Sequence, residues 1–440
     1  MLKFRRISNN EKGVVLIAGY LVIAALLGFV TALVSVSTTQ NSIANSFKRQ
    51  TQAFDIAESG LDSALFWLRA QPAPPVGSIA PLTGNVNAGA YNGSYTVTLT
   101  DLGAQGGVPS IRRYKVSSTG TIGGKSKVLT NFLETDNYAL YIWFTDSESF
   151  SGTTVWFWNQ DYLSGPTQTN SHFNISGNPV FNGEVQSVDS YLRYYNNGNN
   201  INSSLLSNPP YDNPNFMQGV TLGGDPVNMP SSALNLRTAA QSGESGKFYL
   251  TGDTTIVLNA DGTMNVSNDN KSPKWNNKNM ALPVNGALFV NNGNLTISGT
   301  LKGRLTTGAS KDIYIPSNIV YSSDPRINPN STDTMGIISE GDVVINHDAS
   351  YNLEIDAAIM AMNTSFMLDD WSQGPAKGTL TVYGGIIQDQ RGPVGTFNGQ
   401  TNQKVSGYSK NYSYDPRLLN SPPPFYPTTG DYITLSWEED

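Results

Sequence analysis

The chain has 440 residues, enough for a sizeable core and more than one domain, and its net charge of −7 gives a pI near 5. This acidic balance leaves no broad basic surface for nucleic acid, so we expect no nucleic-acid partner. The lack of cysteine excludes disulfides as a source of stability, and 42 glycines, 24 prolines and only 14% charged residues indicate a turn-rich β protein.

The first predicted element is an uncharged apolar run from Val14 to Val36. As a helix it would be about 34 Å long, enough to cross a hydrocarbon core of about 30 Å. Basic residues outnumber acidic ones in residues 1–13, so the positive-inside rule leaves the N-terminus in the cytoplasm and everything after residue 40 outside. The length of the run disfavours a cleaved secretory signal peptide, whereas a plain signal anchor fits the hydropathy equally well.

Two short motifs lie on this predicted helix. Lys12 and Gly13 stand directly before the apolar run, and the segment AFDIAESGL occupies Ala53 to Leu61. The first motif resembles the leader site of type IV pilins and of the pseudopilins of type II secretion. The second closely resembles the signature that follows the transmembrane half in PilX-like minor pilins. The resemblance covers residues 1–70 closely and the strands after them more loosely.

The resemblance implies a processing site. In that family a prepilin peptidase cuts after the glycine of a short basic leader and methylates the new N-terminus, which here implies a leader of residues 1–13 and cleavage between Gly13 and Val14. Locally this is plausible chemistry, because Gly13 has no side chain to hinder access to the backbone and weakens a helix at the bond to be cut.

The resemblance also implies residues for subunit assembly. The fifth residue after the cleavage site is Ala18, where major pilins place a glutamate that pairs with a neighbouring subunit, and its absence removes that contact and indicates a minor subunit. Glu58 fits a solvated helix position as well as a subunit contact. The residues to which the resemblance assigns assembly are Ala18, Phe54, Ala57, Glu58, Gly60 and Leu61.

The function implied is that of a minor pilin subunit of a bacterial type IV pilus, with a structural, assembly or tip-adhesion role. Its partners would be other pilin subunits, the prepilin peptidase, the inner-membrane assembly platform, and a surface or glycan ligand. The chain would sit in the inner membrane before assembly and in an extracellular pilus or periplasmic filament afterwards. Two alternatives stay open: a type II secretion pseudopilin, and a membrane-anchored glycan-acting β-solenoid enzyme.

The predicted fold class is α+β, and it begins with one helix over residues 14–71, transmembrane over 14–36. After the apolar run, large apolar residues recur at three- and four-residue spacings until prolines end the helix. The strands that follow are predicted at Ser94–Thr100, Ile111–Ser118 and Lys125–Glu134, and they form a small antiparallel sheet within residues 87–135.

Residues 138–440 are interpreted as a large, mainly β domain. Short apolar strands are predicted at Tyr141–Phe144 and Val155–Trp158, and a hairpin at Thr254–Val266 turns over Asn259 to Gly262. Between residues 286 and 388 short strands follow one another with glycine, asparagine, aspartate or proline between most of them, which favours a β-solenoid, with a β-sandwich as the alternative.

Two segments of this domain have a different composition. Residues 191–246 are predicted to be an irregular insertion, with a helix from Ser231 to Gln241. The tail at residues 408–428 is rich in proline and aromatic residues, so we expect it to cover one end or side of the β domain as an extended strap.

Candidate catalytic residues are sparse, and we expect no catalytic, cofactor-binding or metal site and no cofactor. The two histidines, His172 and His347, are far apart and have no ligand spacing around them. A glycan-acting enzyme would use paired carboxylates, and Trp371 and Tyr383 are candidate sugar platforms. The candidate acids are Asp312, Asp342, Asp356, Asp369, Asp370 and Asp389.

Overall fold

The computed structural model describes residues 11–71, 74–89, 91–105, 108–399, 401 and 403–439. Residues 1–10, most of the predicted leader of residues 1–13, lie outside these ranges. The described chain is α+β: a long helix, α1, is followed by a small antiparallel sheet and then by a large, mostly β domain. A second helix, α2 (Leu234–Ser242), agrees with the helix predicted inside the insertion.

The strands are numbered in chain order. The first four are β1 (Leu82–Ala88), β2 (Tyr91–Gln105), β3 (Val108–Ile122) and β4 (Lys125–Asn137). The next twelve are β5 (Trp143–Ser147), β6 (Ser149–Phe150), β7 (Thr153–Thr154), β8 (Tyr162–Ser164), β9 (Thr167–Thr169), β10 (Asn174–Ile175), β11 (Val180–Phe181), β12 (Val185–Ser187), β13 (Leu192–Tyr194), β14 (Ile201–Ser203), β15 (Asn215–Phe216) and β16 (Val220–Leu222).

The remaining strands follow α2. They are β17 (Tyr249–Thr251), β18 (Thr254–Leu258), β19 (Thr263–Asn268), β20 (Trp275–Ala281), β21 (Ala287–Asn291), β22 (Leu295–Leu301), β23 (Arg304–Ala309), β24 (Ile313–Ile315), β25 (Ile319–Tyr321), β26 (Thr334–Ser339), β27 (Val343–Ile345), β28 (Leu353–Ala361), β29 (Phe366–Leu368), β30 (Ala376–Gln390), β31 (Gly395–Asn398), β32 (Gln403–Tyr414) and β33 (Thr428–Glu439). Short 3-10 helices lie at Tyr138–Leu140, Asn196–Gly198, Gly243–Gly246 and Pro416–Leu419.

Helix α1 (Glu11–Arg69) has 59 residues, which makes it about 88 Å long. It is continuous through Gly13, so the described structure has no break at the predicted cleavage site. Its second half packs on the small sheet through the buried residues Ala53, Ile56, Ala57, Leu61, Ala64 and Leu68. The amphipathic pattern predicted this contact, but Ile43 and Phe47 of the same predicted stripe are exposed.

The small sheet has five strands in the order β1-β2-β3-β4-β33, all antiparallel. The three predicted strands are present, and β1 and β33 add to them. The prediction placed all residues after 138 in the larger domain, and here the structure differs: the chain returns after the proline-rich segment, and β33 pairs with β4 from Thr428 opposite Asn137 onwards. The larger domain is therefore inserted between two neighbouring strands of the small sheet.

The larger domain contains three parallel ladders, which together we call the stack. The first runs through ten strands in the order β17-β21-β23-β26-β28-β30-β5-β9-β12-β16. In its register Ile337, Ile359, Ile386 and Trp143 follow one another, and all four side chains are buried. Apolar side chains of successive strands therefore lie above one another and form a continuous apolar interior.

The other two ladders share strands with each other and with the first. One is β18-β22-β24-β27-β29, and the other is β22-β25-β28-β30-β32-β8-β11-β15. The predicted hairpin at Thr254–Val266 is confirmed, with β18 and β19 antiparallel across the turn. The strand predicted at Val155–Trp158 is wrong: within it only Phe157 forms an isolated bridge, with Ile175.

The order of the strands within the stack is not the order of the chain. The chain enters at β5, beside β30, and continues outward to β16 at one end. It then passes α2 to reach β17 at the other end and returns to β30 and β32. The chain's early and late segments therefore meet where β5 and β8 pair with β30 and β32.

A buried ion pair fixes this meeting point. Arg391 is fully buried, and its Nη1 lies 2.8 Å from Oε2 of the buried Glu148. Its Nη2 donates to the carbonyl oxygen of Trp156 at 3.0 Å, and its guanidinium carbon lies 3.5 Å from the centroid of the Phe157 ring. A charge removed from water is stable only when its partners are in place. This ion pair therefore requires that the early segment, with Glu148, and the late segment, with Arg391, both be folded together.

We expect replacement of Arg391 by methionine to lower the free energy of unfolding by about 3–5 kcal/mol, because the carboxylate of Glu148 is left buried without its cation. The matched control is Arg69→Met, since Arg69 and Asp431 form an ion pair in which both side chains are 49% exposed. That change is expected to remove about 0–1 kcal/mol. Urea unfolding followed by tryptophan fluorescence measures both, and equal losses would contradict this interpretation.

Candidate functional site

The largest uncovered apolar surface described is the first half of α1. Every residue from Val14 to Val36 is exposed, and the most apolar window of the helix has a mean hydropathy of 2.6 and no buried residue. By length and composition this segment can cross a membrane. Exposed apolar surface of this extent marks a site that binds lipid or another protein.

The AFDIAESGL motif has a physical role inside the chain. Ala53, Ala57 and Gly60 form a face of α1 that approaches β3 closely. A Cβ atom at Gly60 would overlap Oγ of Ser118, and one at Gly120 would overlap the carbonyl oxygen of Ala53 and the amide nitrogen of Ala57. Small residues at these positions therefore let the helix backbone reach the sheet.

The predicted assembly residues separate into two groups. Ala57, Gly60 and Leu61 are buried against the chain's own sheet, and Phe54 is half-buried, with its ring 6.1 Å from that of Trp437. Ala18 and Glu58 are exposed and accessible to other molecules, as is Val14 of the predicted processing site. The three buried residues thus pack inside this chain, while assembly through the exposed ones stays a prediction. Gly13 lies in the helix, and processing there also stays a prediction.

The histidines show no catalytic geometry. Nδ1 of His172 lies 2.8 Å from Oδ2 of Asp189 and 3.3 Å from Oγ of Ser171, so one nitrogen contacts both neighbours. A Ser-His-Asp triad needs the two ring nitrogens to face the acid and the serine separately. His347 is exposed. No group of three or more histidines, acids or cysteines that could hold a metal occurs within the described residues.

Two of the candidate acids belong to a ladder of backbone caps. The amide of Asn294 donates to Oδ1 of Asp253, and the amide of Asp312 donates to Oδ1 of Asn294. The amide of Asp342 donates to Oδ1 of Asp312, and that of Ser365 donates to Oδ1 of Asp342. Each residue directly precedes a strand of one parallel ladder, so these carboxylates hold successive turns in register.

Two further candidates, Asp356 and Tyr383, contact the guanidinium of Arg326 and are held by it inside the fold. Oδ2 of Asp356 accepts from the amide of Tyr321 at 3.0 Å, and Arg326 lies 3.5 Å from Oδ1. Burial raises the pKa of Asp356 to about 7. Tyr383 is buried, with the guanidinium of Arg326 4.8 Å from its ring centroid, and its hydroxyl donates to Asp415. The proposed platform role of Tyr383 is therefore wrong, because its ring is covered.

The last candidates are scattered. Asp369 and Asp370 follow β29 in an exposed turn, where Asp370 has a φ of 49°. Asp389 is half-buried, and burial raises its pKa. Trp371 is half-exposed and lines a cleft together with Trp156 and other aromatic residues. The density of aromatic residues at 155–158 is the sequence signal that could have located this cleft.

Comparisons with known proteins found matches to a family model and to solved structures. A family model described as a domain of unknown function, DUF4900, matches residues 94–189, which is less than a quarter of the chain. The crystal structure of the competence-associated pilin ComZ from Thermus thermophilus is 12% identical, covering 89% of this chain and 97% of that one, with a TM-score of 0.30. No curated protein matches the chain. These matches are too short or too weak to assign the chain to a family.

The contact between α1 and β3 yields a prediction for Gly60. Alanine there is expected to lower the free energy of unfolding by about 1–3 kcal/mol through overpacking, although alanine favours helix. Ser118→Ala should restore part of that loss, because it removes the overlapping Oγ, which has no hydrogen-bond partner in the described structure, while Tyr95 and Val97 stay 3.1 Å from the new Cβ. Thermal unfolding of both single variants and the double variant gives the coupling.

The control is Gly120→Ala with and without Ser118→Ala. A Cβ at Gly120 meets backbone atoms of α1, which the serine substitution does not move. We therefore expect rescue for Gly60 and none for Gly120. Failure of Ser118→Ala to rescue Gly60→Ala would show that this close approach is not the cause of the loss.

Proposed function

We propose that this chain is a minor, non-catalytic subunit of a bacterial type IV pilus or a related filament. The observation that carries the proposal is the division of α1: Val14 to Val36 is apolar and fully uncovered, while Ala53 to Leu68 packs on the chain's own sheet. The first half of such a helix is stable only in lipid or against other apolar helices. A pilin-like helix would meet these two environments in succession, lipid as a membrane precursor and other helices as a filament subunit.

In this mechanism, the first half of α1 holds the precursor in the inner membrane, with the basic leader in the cytoplasm. The prepilin peptidase cuts after Gly13 and methylates Val14. The assembly platform then moves the helix from lipid into the filament, where its apolar surface packs against other subunits in place of acyl chains. Ala18 and Glu58 are exposed on this helix and available to those subunits.

The subunit would be a minor one for two reasons. Ala18 supplies no carboxylate for pairing with the N-terminus of a neighbour. The larger domain, inserted between β4 and β33, extends from residue 138 to residue 427 and is too large to repeat at every position of a filament. We place the subunit at the tip or in a minor assembly complex, where it primes assembly or contacts a surface.

We also infer that the stack is a β-solenoid rather than a β-sandwich. Three ladders pair in parallel, whereas the two sheets of a sandwich are antiparallel. The aligned isoleucines of the first ladder and the repeated caps from Asp253 to Asp342 support this architecture, because both place like residues at equivalent positions of successive turns.

The proposal of a non-catalytic role rests on the positions of the acids. Asp312 and Asp342 cap backbone amides, Asp356 accepts from a backbone amide beside Arg326, and Asp369 and Asp370 are exposed in a turn. Each of these carboxylates thus has a local structural explanation. Glycoside hydrolysis would instead need two carboxyl groups facing one cleft about 5–9.5 Å apart.

The test is the mass and N-terminal sequence of the protein purified from membranes with and without the prepilin peptidase. We expect a mature chain that begins with N-methylated Val14 only when the peptidase is present, and we expect Gly13→Leu to keep the full-length chain in both cases. The matched control is Gly19→Leu, because Gly19 lies on the same helix and a Cβ atom there would meet no described atom within 4 Å beyond its chain neighbours and the adjacent helix backbone. It should be processed normally.

An unprocessed N-terminus in wild type with the peptidase present would contradict the pilin proposal and leave an anchored β protein. Processing that is lost equally in the Gly13 and Gly19 variants would show that the apolar run, rather than the bond after Gly13, is the feature recognised.

A further inference from the structure

The second feature that suggests binding is a cleft at the meeting point of the chain's early and late segments. It has a volume of about 240 Å³ and is lined by residues of segments 150–158, 393–399 and 404–410 together with two single aromatic residues. We call it the aromatic cleft, and the aromatic residues used below are Trp156, Trp158, Tyr195, Trp371, Phe397 and Tyr408.

The rings in the cleft are arranged in contact pairs. Trp158 and Phe397 are stacked, with centroids 4.9 Å apart and planes 11° from parallel. Trp156 meets Tyr195 edge to face at 5.3 Å. Aromatic walls of this kind offer flat apolar surface to a ligand that has its own flat apolar face.

The cleft also contains unused hydrogen-bond donors. Among the described residues, no hydrogen bond engages the indole N–H groups of Trp156, Trp158 and Trp371 or the hydroxyl of Tyr195. Of these four residues only Trp158 is buried, and Trp156, Trp371 and Tyr195 are half-exposed. Tyrosine and tryptophan combine a flat apolar ring with a polar group that can bond a ligand. A ligand with several hydroxyl groups would supply the acceptors that the protein does not.

The two ammonium groups at the cleft, those of Lys410 and Lys404, already have partners within the protein. The ammonium of Lys410 lies 2.6 Å from Oδ2 of Asp161, so the pair is neutral overall. The ammonium of Lys404 donates to the carbonyl oxygens of Lys377 and Gly378 and to Oγ of Ser409, which uses its three donors. In the part of the chain that the structure describes, no aspartate or glutamate lines the cleft. Lys404 keeps its positive charge but has no donor left for an anion, and Lys410 is neutralised by Asp161. The lining therefore disfavours a cation and suits a neutral ligand.

The walls are held in place before any ligand arrives. Arg391 donates to the carbonyl of Trp156, and Asp161 accepts from the amide of Trp158. Oγ of Ser406 donates to the carbonyl of Trp371 at 2.7 Å, and the hydroxyl of Tyr408 donates to the carbonyl of Ser350. Preorganised walls lower the entropy lost on binding.

We propose that the aromatic cleft binds a neutral glycan, with one or two pyranose rings inside it. The carbon-bound hydrogens of a pyranose would lie against the aromatic rings, and its hydroxyl groups would accept from the free indole N–H groups. A polyproline segment also binds aromatic side chains, but it requires an extended groove. Here residues from several separate segments surround a cleft of about 240 Å³ rather than lining an extended groove.

This proposal does not depend on filament assembly, so it is tested on the purified full-length protein in a detergent without a sugar headgroup. The probes are an array of neutral glycans and then fluorescence titration with chitotriose, cellotriose and the array's best binder. We expect saturable binding by at least one neutral glycan. Trp371→Ala and Trp156→Ala, at half-exposed positions, should each weaken it by about tenfold or more.

Two variants separate binding from folding. Trp371→Phe keeps an aromatic ring but removes the indole N–H, so its binding should be intermediate. Trp437→Ala is the matched control, because this tryptophan is 49% exposed on the small sheet and does not line the cleft, so its loss should leave binding unchanged. All variants should keep the wild-type circular dichroism spectrum.

Three results would overturn the proposal. The first is that no neutral glycan on the array binds. The second is binding that Trp371→Ala and Trp156→Ala leave unchanged. The third is cleft-dependent binding of a proline-rich peptide with the sequence SPPPFYP in place of any glycan.

Discussion

The uncovered apolar half of α1 is the constraint on which the rest of the structure depends. Water cannot solvate the surface from Val14 to Val36 without a large free-energy cost, so this half must always lie in lipid or against apolar protein. The second half therefore has to fasten the helix firmly to the folded domains. It does so through small residues, because Ala53, Ala57 and Gly60 bring the helix backbone onto β3.

The larger domain is attached to this stem by both of its ends. It begins after β4 and ends before β33, and these two strands are neighbours in the small sheet. The last strand also contacts the helix, since Phe54 meets Trp437 and Arg69 pairs with Asp431. Two adjacent connections restrict the domain more than one would, which suits a domain carried at a fixed position on a stem.

Local pattern predicted much of the fold. Apolar periodicity gave α1 and its buried face, and turn chemistry gave the hairpin of β18 and β19. Local pattern could not predict which distant segments pair. The contact of β33 with β4 and that of β5 with β30 join residues far apart in sequence. The same limit applies to sites, because the burial of Tyr383 under Arg326 is set by the fold rather than by its neighbours in sequence.

The most direct test of the central claim is photo-crosslinking from the exposed half of α1. A benzoylphenylalanine placed at Phe29, which is 70% exposed, is expected to crosslink to another subunit in filaments sheared from the cell surface and to no protein in membranes before assembly. A chain that is absent from sheared filaments, or one whose Phe29 position never crosslinks to a subunit, would contradict the account and leave the helix as a membrane anchor alone.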